Sequence, residues 1–316
     1  MRRTRRQVNL LNGAAVVIAL GLSLALTARQ RPGPQVAAPG DSSSPRQLVD
    51  DTGTTVAVAP YQRIISGSIL TDRLLQEICE PERVIAMTGH TMRKQSLAYR
   101  FPRRTVLEDL TDAEQLLALG PDLLVVNGFG DIRRVERLRG AGLTVFDLGH
   151  MQGLSSFQED IEQLSTLIGE PERGRRYAST FLGRLRAVAI DIPQEHRREA
   201  LYVNLHGNQL FGGARGTAHH DILDHAGLVD VASRHYEGWP AYNAEQLLAL
   251  NPPLIITARG VGQRLCRHAG LSLLQACRNA DGVVEIEPEL LGDPGVGMVD
   301  AAEAIRQAVY GPRPRP

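Results

Sequence analysis

Histidines follow several predicted strands, and imidazole can ligate a metal ion or haem iron near neutral pH. His90 follows one short apolar run and His206 follows another, whereas His219 and His220 are neighbours on a predicted helix. Neighbouring helical side chains point about 100° apart, so both rarely bind one ion. We therefore predict no metal ligands and no cofactor, and metal or haem ligation stays an alternative.

Cysteine spacing raises the question of a disulfide. Cys266 and Cys277 lie eleven residues apart, and they can pair in an oxidising compartment. On one continuous helix, three turns would separate them by about 16 Å, which is too far for a bond. Gly270 is expected to interrupt such a helix, so the pairing stays open. Cys79 would then be free, and we predict that it is a core residue.

Catalytic signatures are absent from the sequence. It contains no Gly-x-Ser-x-Gly, no P-loop and no His-Glu-x-x-His, and Gly128-Phe129-Gly130 is too short for a dinucleotide fingerprint. A binding protein is thus favoured over an enzyme. The enzyme alternative, such as a metal hydrolase or a chelatase-like protein, would need a histidine and acid cluster with perturbed pKa values.

Composition sets outer limits on the class of protein. The chain has 316 residues, of which 43% are hydrophobic, so a sizeable core and about two domains are expected. The 35 basic residues balance the 35 acidic ones, which does not favour a nucleic-acid partner.

The N-terminus has the pattern of a targeting segment. Four arginines within residues 2–6 precede an uncharged apolar stretch over residues 13–28. We predict that residues 1–28 are an export signal, or an anchor if residues 8–28 stay uncut, and that the protein is periplasmic or otherwise extracytoplasmic. Residues 29–60 are rich in Pro, Gly and Ser over most of their length and are predicted to be a flexible linker.

One pattern occurs twice in the chain. An Ala-Glu-Gln-Leu-Leu-Ala-Leu block begins at Ala113 and again, 131 residues later, at Ala244. Asp112 and Asn243 precede the two blocks as helix N-caps. A proline ends each helix and an apolar run follows, which indicates a buried strand. The repeat predicts two similar α/β lobes.

Strands alternate with helices on both sides of a helical stretch, which indicates mostly parallel sheets. We expect an N-terminal lobe over residues 61–150, a bridging helical segment over residues 151–194 and a C-terminal lobe over residues 195–316. Ligands bind beyond the carboxyl ends of such strands. The candidate ligand-binding residues in these loops are Ser66, His90, Asn127, Phe129 and His206.

In this order, the parts resemble the exported solute-binding proteins of ABC importers for cobalamin, iron–siderophore complexes and haem. The resemblance runs from about Arg63 to Val309. It rests on the strand beginning at Arg63, the paired blocks, the central helical segment, the helix followed by Ala-Gly-Leu-Val-Asp-Val-Ala over residues 221–232, and Gly238-Trp239-Pro240. It implies two Rossmann-like lobes joined by a long helix, with a ligand cleft between them and no catalysis. The implied partners are a small-molecule ligand and an ABC permease, and we expect a monomer.

The resemblance also assigns roles to individual residues. Glu114 and Glu245 match the glutamates that dock onto permease arginines, although a glutamate in a first helical turn is also stabilised by the helix dipole. Trp239 stands where relatives pack an aromatic side chain on the ligand; a partly buried core position is the alternative. Arg259 could pair with an anionic siderophore group, or it is an ordinary solvated loop residue.

Two of the cleft positions bear on the ligand. His90 and Asn127 stand where cobalamin binders tend to carry aromatic residues, and aromatic residues make up only 4% of the chain. These departures count against cobalamin. From the resemblance, the ligand is predicted to be an iron–siderophore complex or a cobalamin-like molecule. A metal- or haem-binding protein of the same architecture is the alternative.

Overall fold

The computed structural model describes residues 46–94, 100–101, 104–128, 132–293 and 295–312. The strands are β1 (Gln47–Val49), β2 (Thr55–Ala57), β3 (Ile64–Ser66), β4 (Val84–Thr88), β5 (Thr105–Leu107), β6 (Leu123–Val126), β7 (Val145–Asp147), β8 (Arg198–Tyr202), β9 (Asn204–His206), β10 (Gln209–Phe211), β11 (Leu228–Asp230), β12 (Ala241–Tyr242), β13 (Leu254–Ala258) and β14 (Val283–Ile286). The α-helices are α1 (Ile69–Ile78), α2 (Gly89–Met92), α3 (Ala113–Ala118), α4 (Ile132–Gly140), α5 (Leu154–Leu167), α6 (Pro171–Ala187), α7 (Ala218–His225), α8 (Ala244–Leu250), α9 (Gly262–Arg267), α10 (Gln275–Arg278), α11 (Pro288–Leu291) and α12 (Met298–Tyr310).

Two parallel sheets organise these elements and confirm the predicted α/β class. The first has the strand order β5-β4-β3-β6-β7, and the second has the order β11-β8-β13-β14. In the first sheet the chain passes from β3 to β4 on one side and from β6 to β7 on the other. In the second sheet it likewise passes from β8 towards β11 on one side and from β13 to β14 on the other. Such switch points are where open α/β sheets bind ligands. A small antiparallel sheet, β12-β10-β9, adjoins the second.

The strands are buried on both faces, as expected for parallel sheets covered by helices. Alternate residues of β6 enter different cores: Leu123 and Val125 face a large central core, and Leu124 faces an outer one. In β13 the same alternation sends Leu254 to the central core and Ile255 to a separate outer core. The central core therefore joins the two sheets, and each sheet also has an outer core of its own.

The joining segment differs from the single long helix that we expected. It consists of α5 and α6, which are separated by residues 168–170. Gly174 of α6 lies so close to α5 that a Cβ atom there would approach Ser165 Oγ to 2.0 Å. Phe157 and Phe181, one from each helix, meet edge to face at 5.1 Å within the central core. The two helices therefore pack against each other and against the core.

The described end of the predicted linker is folded, which corrects the prediction for residues 46–60. β1 and β2 form an antiparallel hairpin, and Leu48 and Val56 are buried in the central core. Leu48 and Val56 are the buried central residues of strands only three residues long, which is too short to reveal a strand period. The predicted export signal and residues 29–45 of the linker lie outside the described residues.

Within the described part of the chain, no helix combines the length and apolar character needed to span a bilayer.

Candidate functional site

An ion pair brings the carboxyl edges of the two parallel sheets together. Lys94 follows α2, beyond the carboxyl end of β4, and Glu289 lies in α11, beyond the carboxyl end of β14. Lys94 Nζ and Glu289 Oε1 are 3.4 Å apart. A second pair, Arg73 Nε with Asp293 Oδ2 at 3.0 Å, ties α1 to the segment after α11. The loops beyond the carboxyl edges of the two sheets therefore face each other, and we call the space that they border the cleft.

Three rings pack together beside the carboxyl end of β8. Trp239 is 52% exposed and meets His219 edge to face, with ring centroids 5.0 Å apart. His219 in turn stacks on Tyr202 at 3.9 Å. Both His219 and Tyr202 are buried. Trp239 therefore presents an exposed apolar face that two buried rings support.

The backbone around these rings explains their placement. Thr217 caps α7 and accepts from the backbone N–H of His220 at 3.3 Å. A Cβ atom on Gly213 would lie 2.6 Å from Thr217 Oγ1 and 2.9 Å from His219 Cβ. Gly238 adopts a φ of 66°, which places Trp239 at the end of a tight turn. Gly213 thus allows the close approach of the loop to α7, and the positive φ of Gly238 sets the direction of the chain before Trp239.

Burial determines the charge of His219. Desolvation lowers the pKa of His219 to about 4, and the nearby backbone of Leu291 offsets only part of this effect. Neither ring nitrogen has a partner in hydrogen-bonding geometry within the described residues. His219 is therefore neutral at pH 7 and retains an unused lone pair.

The cleft floor on the first sheet contains a buried carboxylate. Thr88 Oγ1 donates to Asp72 Oδ2 at 2.5 Å, and the Thr88 backbone N–H lies 3.3 Å from the same oxygen. Burial raises the pKa of Asp72 to about 6, although hydrogen bonds from Ser66, Thr88 and Thr91 oppose the rise. The carboxylate thus links the carboxyl ends of β3 and β4 below His90.

The residues of the first lobe that were predicted to contact a ligand lie in different environments. Ser66 is fully buried and its hydroxyl lies 2.7 Å from Thr71 Oγ1, so it supports the site and cannot contact a ligand directly. His90 is exposed, beside Glu289. Asn127 is half-buried and donates from Nδ2 to the carbonyl of Gly149. Phe129 lies outside the described residues.

Besides Trp239, the other two predicted ligand contacts of the second lobe, His206 and Arg259, are also exposed. His206, at the end of β9, meets Phe211 edge to face at 6.5 Å. Arg259 follows β13, and its Nη1 lies 2.6 Å from Glu287 Oε1. Arg259 therefore stands at the carboxyl edge of the second sheet, and His206 stands on the adjoining small sheet.

The two glutamates of the repeated block occupy matching positions. Glu114 and Glu245 are exposed in the first turns of α3 and α8. Asp112 accepts from the backbone N–H of Gln115 at 3.0 Å, and Asn243 accepts from that of Gln246 at 2.8 Å. Both predicted N-caps are confirmed, and each holds its glutamate at the amino end of a helix.

Cys266 and Cys277 form a disulfide with Cα atoms 5.5 Å apart. Gly270 has a φ of 84° and separates α9 from the following turn, which gives the interruption that the pairing requires. Cys79 is free and buried, as expected, and burial raises the pKa of its thiol to about 11.

Several residues of the cleft were missed by sequence reasoning. Tyr202 and Glu287 end or follow predicted strands, so the rule that selected Ser66 could have selected them. Lys94 and Glu289 carried no such signal, because Lys94 follows a short helix and Glu289 lies within another, and the sequence indicated neither helix. In the described part of the chain, no group of three or more His, Cys, Asp or Glu side chains could hold a metal ion.

Known proteins similar to this chain share its two-sheet architecture or part of its sequence. The periplasmic binding protein family matches residues 105–289, more than half of the chain. A vitamin B12-binding protein of Salmonella paratyphi A is 26% identical over 153 residues, which cover 48% of this chain and 57% of that protein. YvrC of Bacillus subtilis, an uncharacterized ABC transporter substrate-binding lipoprotein, is 20% identical over 210 residues, which cover 63% of this chain and 65% of that protein. The crystal structure of the heme binding protein HmuT has a TM-score of 0.68 at 19% identity, covering 89% of this chain and 96% of that one.

These matches establish the family and the fold. The chain spans less than two thirds of the length of the two curated relatives named above. The relatives and the structural neighbour are binding proteins rather than enzymes. Because the family match covers residues on both parallel sheets and the helices that join them, this chain belongs to the periplasmic binding protein family.

Proposed function

We propose that this chain is the substrate-binding component of an ABC importer, which captures a tetrapyrrole metal chelate, a corrinoid or a haem, and delivers it to a membrane permease. The observation that carries the proposal is the cleft, where the carboxyl edges of two parallel sheets meet at Lys94 and Glu289. Relatives named for vitamin B12 and a structural neighbour named for heme support this ligand class.

The aromatic wall favours a flat ligand. Trp239 exposes a large apolar face, and an indole ring stacks well on a planar macrocycle. His219 packs against the indole and is itself stacked on Tyr202, so the indole is partly ordered before a ligand binds and little side-chain entropy is lost. A ferric siderophore, which Arg259 could meet through an anionic group, is the alternative ligand.

Delivery would use the two repeated helices. Glu114 and Glu245 are exposed at matching positions of the two lobes. Two carboxylates presented in this way suit the arginines of a permease with pseudo-twofold symmetry. The protein would act outside the cytoplasm, which agrees with the export signal predicted for residues 1–28, and it would act as a monomer without catalysis.

A titration of Trp239 fluorescence tests ligand capture. Trp239 is the single tryptophan of the chain, so the signal reports one place. We expect saturable quenching by cyanocobalamin or iron protoporphyrin IX, with free N-acetyltryptophanamide titrated in parallel to correct for absorption by the ligand. Saturable quenching by a ferric siderophore alone would transfer the proposal to that ligand, and no response to any probe would contradict it.

A paired substitution tests delivery. We expect Glu114→Ala combined with Glu245→Ala to leave ligand affinity unchanged and to abolish uptake in cells. Glu136→Ala with Glu195→Ala is the matched control, since both glutamates are exposed outside the repeated blocks, and it should transport normally. Uptake that survives the first pair would refute the docking role.

A further inference from the structure

Two carboxylates of one short segment each neutralise a cation at the cleft. Glu287 and Glu289 lie on either side of Pro288, at the start of α11. Glu287 Oε1 is 2.6 Å from Arg259 Nη1, at the edge of the second sheet. Glu289 Oε1 is 3.4 Å from Lys94 Nζ, at the edge of the first. The segment thus contacts one cation from each wall of the cleft.

Further charges gather around the same segment. A hydrogen bond from its own backbone N–H, a side-chain bond from Lys94 and the nearby His90 hold the pKa of Glu289 below its usual range. Glu285 accepts from the backbone N–H groups of Gly260 and Gly262 at 3.1 and 2.7 Å, so it is already satisfied. Lys94 and Arg259 are therefore two cations at the cleft that Glu289 and Glu287 neutralise.

The two ion pairs are easily displaced. The side chains of Arg259 and Glu287 are 64% and 45% exposed, and those of Lys94 and Glu289 are 33% and 56% exposed. Exposed pairs of this kind contribute little to stability because water screens them. A ligand that offers acidic groups in a partly desolvated cleft can form stronger charge-assisted hydrogen bonds with the same cations.

We propose that the ligand of this cleft carries two acidic groups, which replace the Glu287 and Glu289 carboxylates on Arg259 and Lys94. This inference rests on the proposed function and narrows its ligand class. Glu287 and Glu289 reach the two cations from one short segment, so we place the two acids on one side of the ligand. A porphyrin dicarboxylate meets this requirement, whereas a corrinoid, whose acetate and propionate side chains are amidated, does not.

Iron protoporphyrin IX, its dimethyl ester and cyanocobalamin are the probes, titrated against the full chain through Trp239 fluorescence. We expect Lys94→Gln and Arg259→Gln each to weaken binding of the diacid about three- to tenfold, the range of one net hydrogen bond at a partly exposed site. Glu287→Gln and Glu289→Gln should strengthen it by a similar factor, because each removes an internal competitor. A lost packing contact would not produce this gain.

The controls separate charge from folding. The dimethyl ester should bind more weakly than the diacid, and its affinity should be unchanged in all four variants. Arg186→Gln, a change at an exposed arginine of α6, should leave every affinity as in the wild type.

Two outcomes overturn the inference while the proposed function stands: equal binding of diacid and dimethyl ester, or saturable binding of cyanocobalamin alone. Failure of the glutamate variants to tighten diacid binding also overturns it. If none of the three probes binds to any variant, the tetrapyrrole function itself is wrong.

Discussion

The two copies of the repeated block fold alike, yet they are held in place by different means. Leu116 of α3 and Leu247 of α8 are fully buried, each in the outer core of its own sheet. At the end of α3, Arg63 donates to the carbonyl of Gly120 at 2.6 Å. At the end of α8, Asn251 adopts a φ of 38° and accepts from the backbone N–H of Gln275 at 2.9 Å.

Outside these helices, different interactions stabilise the two lobes. The first lobe is fastened by the hairpin, where Asp50 accepts hydrogen bonds from Thr52, Thr54 and Arg139 and from the backbone of Asp147. The second lobe is fastened by the disulfide, whose loop places Gly270 against Ala244 of α8. A short sequence repeat therefore specifies the helix and strand, and each lobe stabilises the unit with local chemistry.

The largest expected effect concerns the Asp50–Arg139 ion pair that holds the hairpin on the first lobe. Asp50→Ala leaves Arg139 without its carboxylate in a site where the Asp50 side chain is fully buried. Breaking a buried ion pair in this way should lower the free energy of unfolding by about 3–5 kcal/mol, measured by urea denaturation. Glu199→Ala, which breaks an exposed pair with Arg234, is the control. A loss no larger than that of the control would mean that the hairpin does not fasten the lobe.

The disulfide between Cys266 and Cys277 is the corresponding stabilising feature of the second lobe. Cys266→Ser with Cys277→Ser should lower the free energy of unfolding by about 2–3 kcal/mol, because a loop of this length restricts the unfolded chain less than a long loop does. Reduction of the wild-type protein should produce the same loss in the same assay. If the double variant were as stable as the oxidised protein, the comparison between the ion pair and the disulfide would fail.

The contributions of the two lobes to stability should depend on pH over different ranges. The folded-state pKa of Asp72 is raised to about 6 by burial, so the native state binds this proton more tightly and stability falls, by on the order of 2 kcal/mol, as pH rises from about 4 to 6. The hydrogen bond to Asp230 raises the pKa of His220. The stability that protonated His220 contributes is fully present below the ordinary pKa of histidine and is lost as pH rises through the raised pKa.

Single variants test these two windows in unfolding curves measured against pH. Asp72→Asn should flatten the slope between about pH 4 and 6 and leave the slope above 6.5 intact. His220→Gln should do the reverse. An equal change of both windows by either variant would show that the two lobes titrate as one unit.

The smallest effect should come from the matched caps. Asp112→Ala and Asn243→Ala each remove one side-chain acceptor from a helix start, which costs about 1 kcal/mol. The two losses should be about equal, since the second bond of the Asn243 cap, from its backbone N–H to Gln246 Oε1 at 2.9 Å, is kept in the alanine variant. Thermal unfolding of the two variants compares them directly, and a much larger loss at either position would contradict this expectation.

Local signals predicted most of the fold. The apolar runs at Leu123–Val126 and Leu254–Ala258 became strands because every residue in them is buried, and continuous apolar runs are typical of parallel sheets. The hairpin was missed because each of its strands is only three residues long, which is too short for a period of two to show. The break between α5 and α6 coincides with the Gly-Glu-Pro at residues 169–171, whereas the single long helix was expected from the resemblance.

The candidate site was only partly predictable. Loop positions after strands pointed to His90, Asn127, His206 and Arg259, since the carboxyl ends of parallel strands share one edge. The sequence could not show that Ser66 turns inward, because that depends on Thr71 and Asp72 one helical turn away. Nor could it show that Tyr202, His219 and Trp239 meet, because they come from three separate elements.

Sequence alone was enough to specify the class of fold, the repeated helix–strand unit and its caps, because capping, proline breaks and apolar runs act between residues close together in the chain. The contacts across the cleft were decided by tertiary structure alone. Lys94 and Glu289 are 195 residues apart in sequence, and their pairing depends on how α5, α6 and the central core join the two sheets. Side chains from such distant segments meet only after the chain has folded, so their chemistry leaves no local pattern in the sequence.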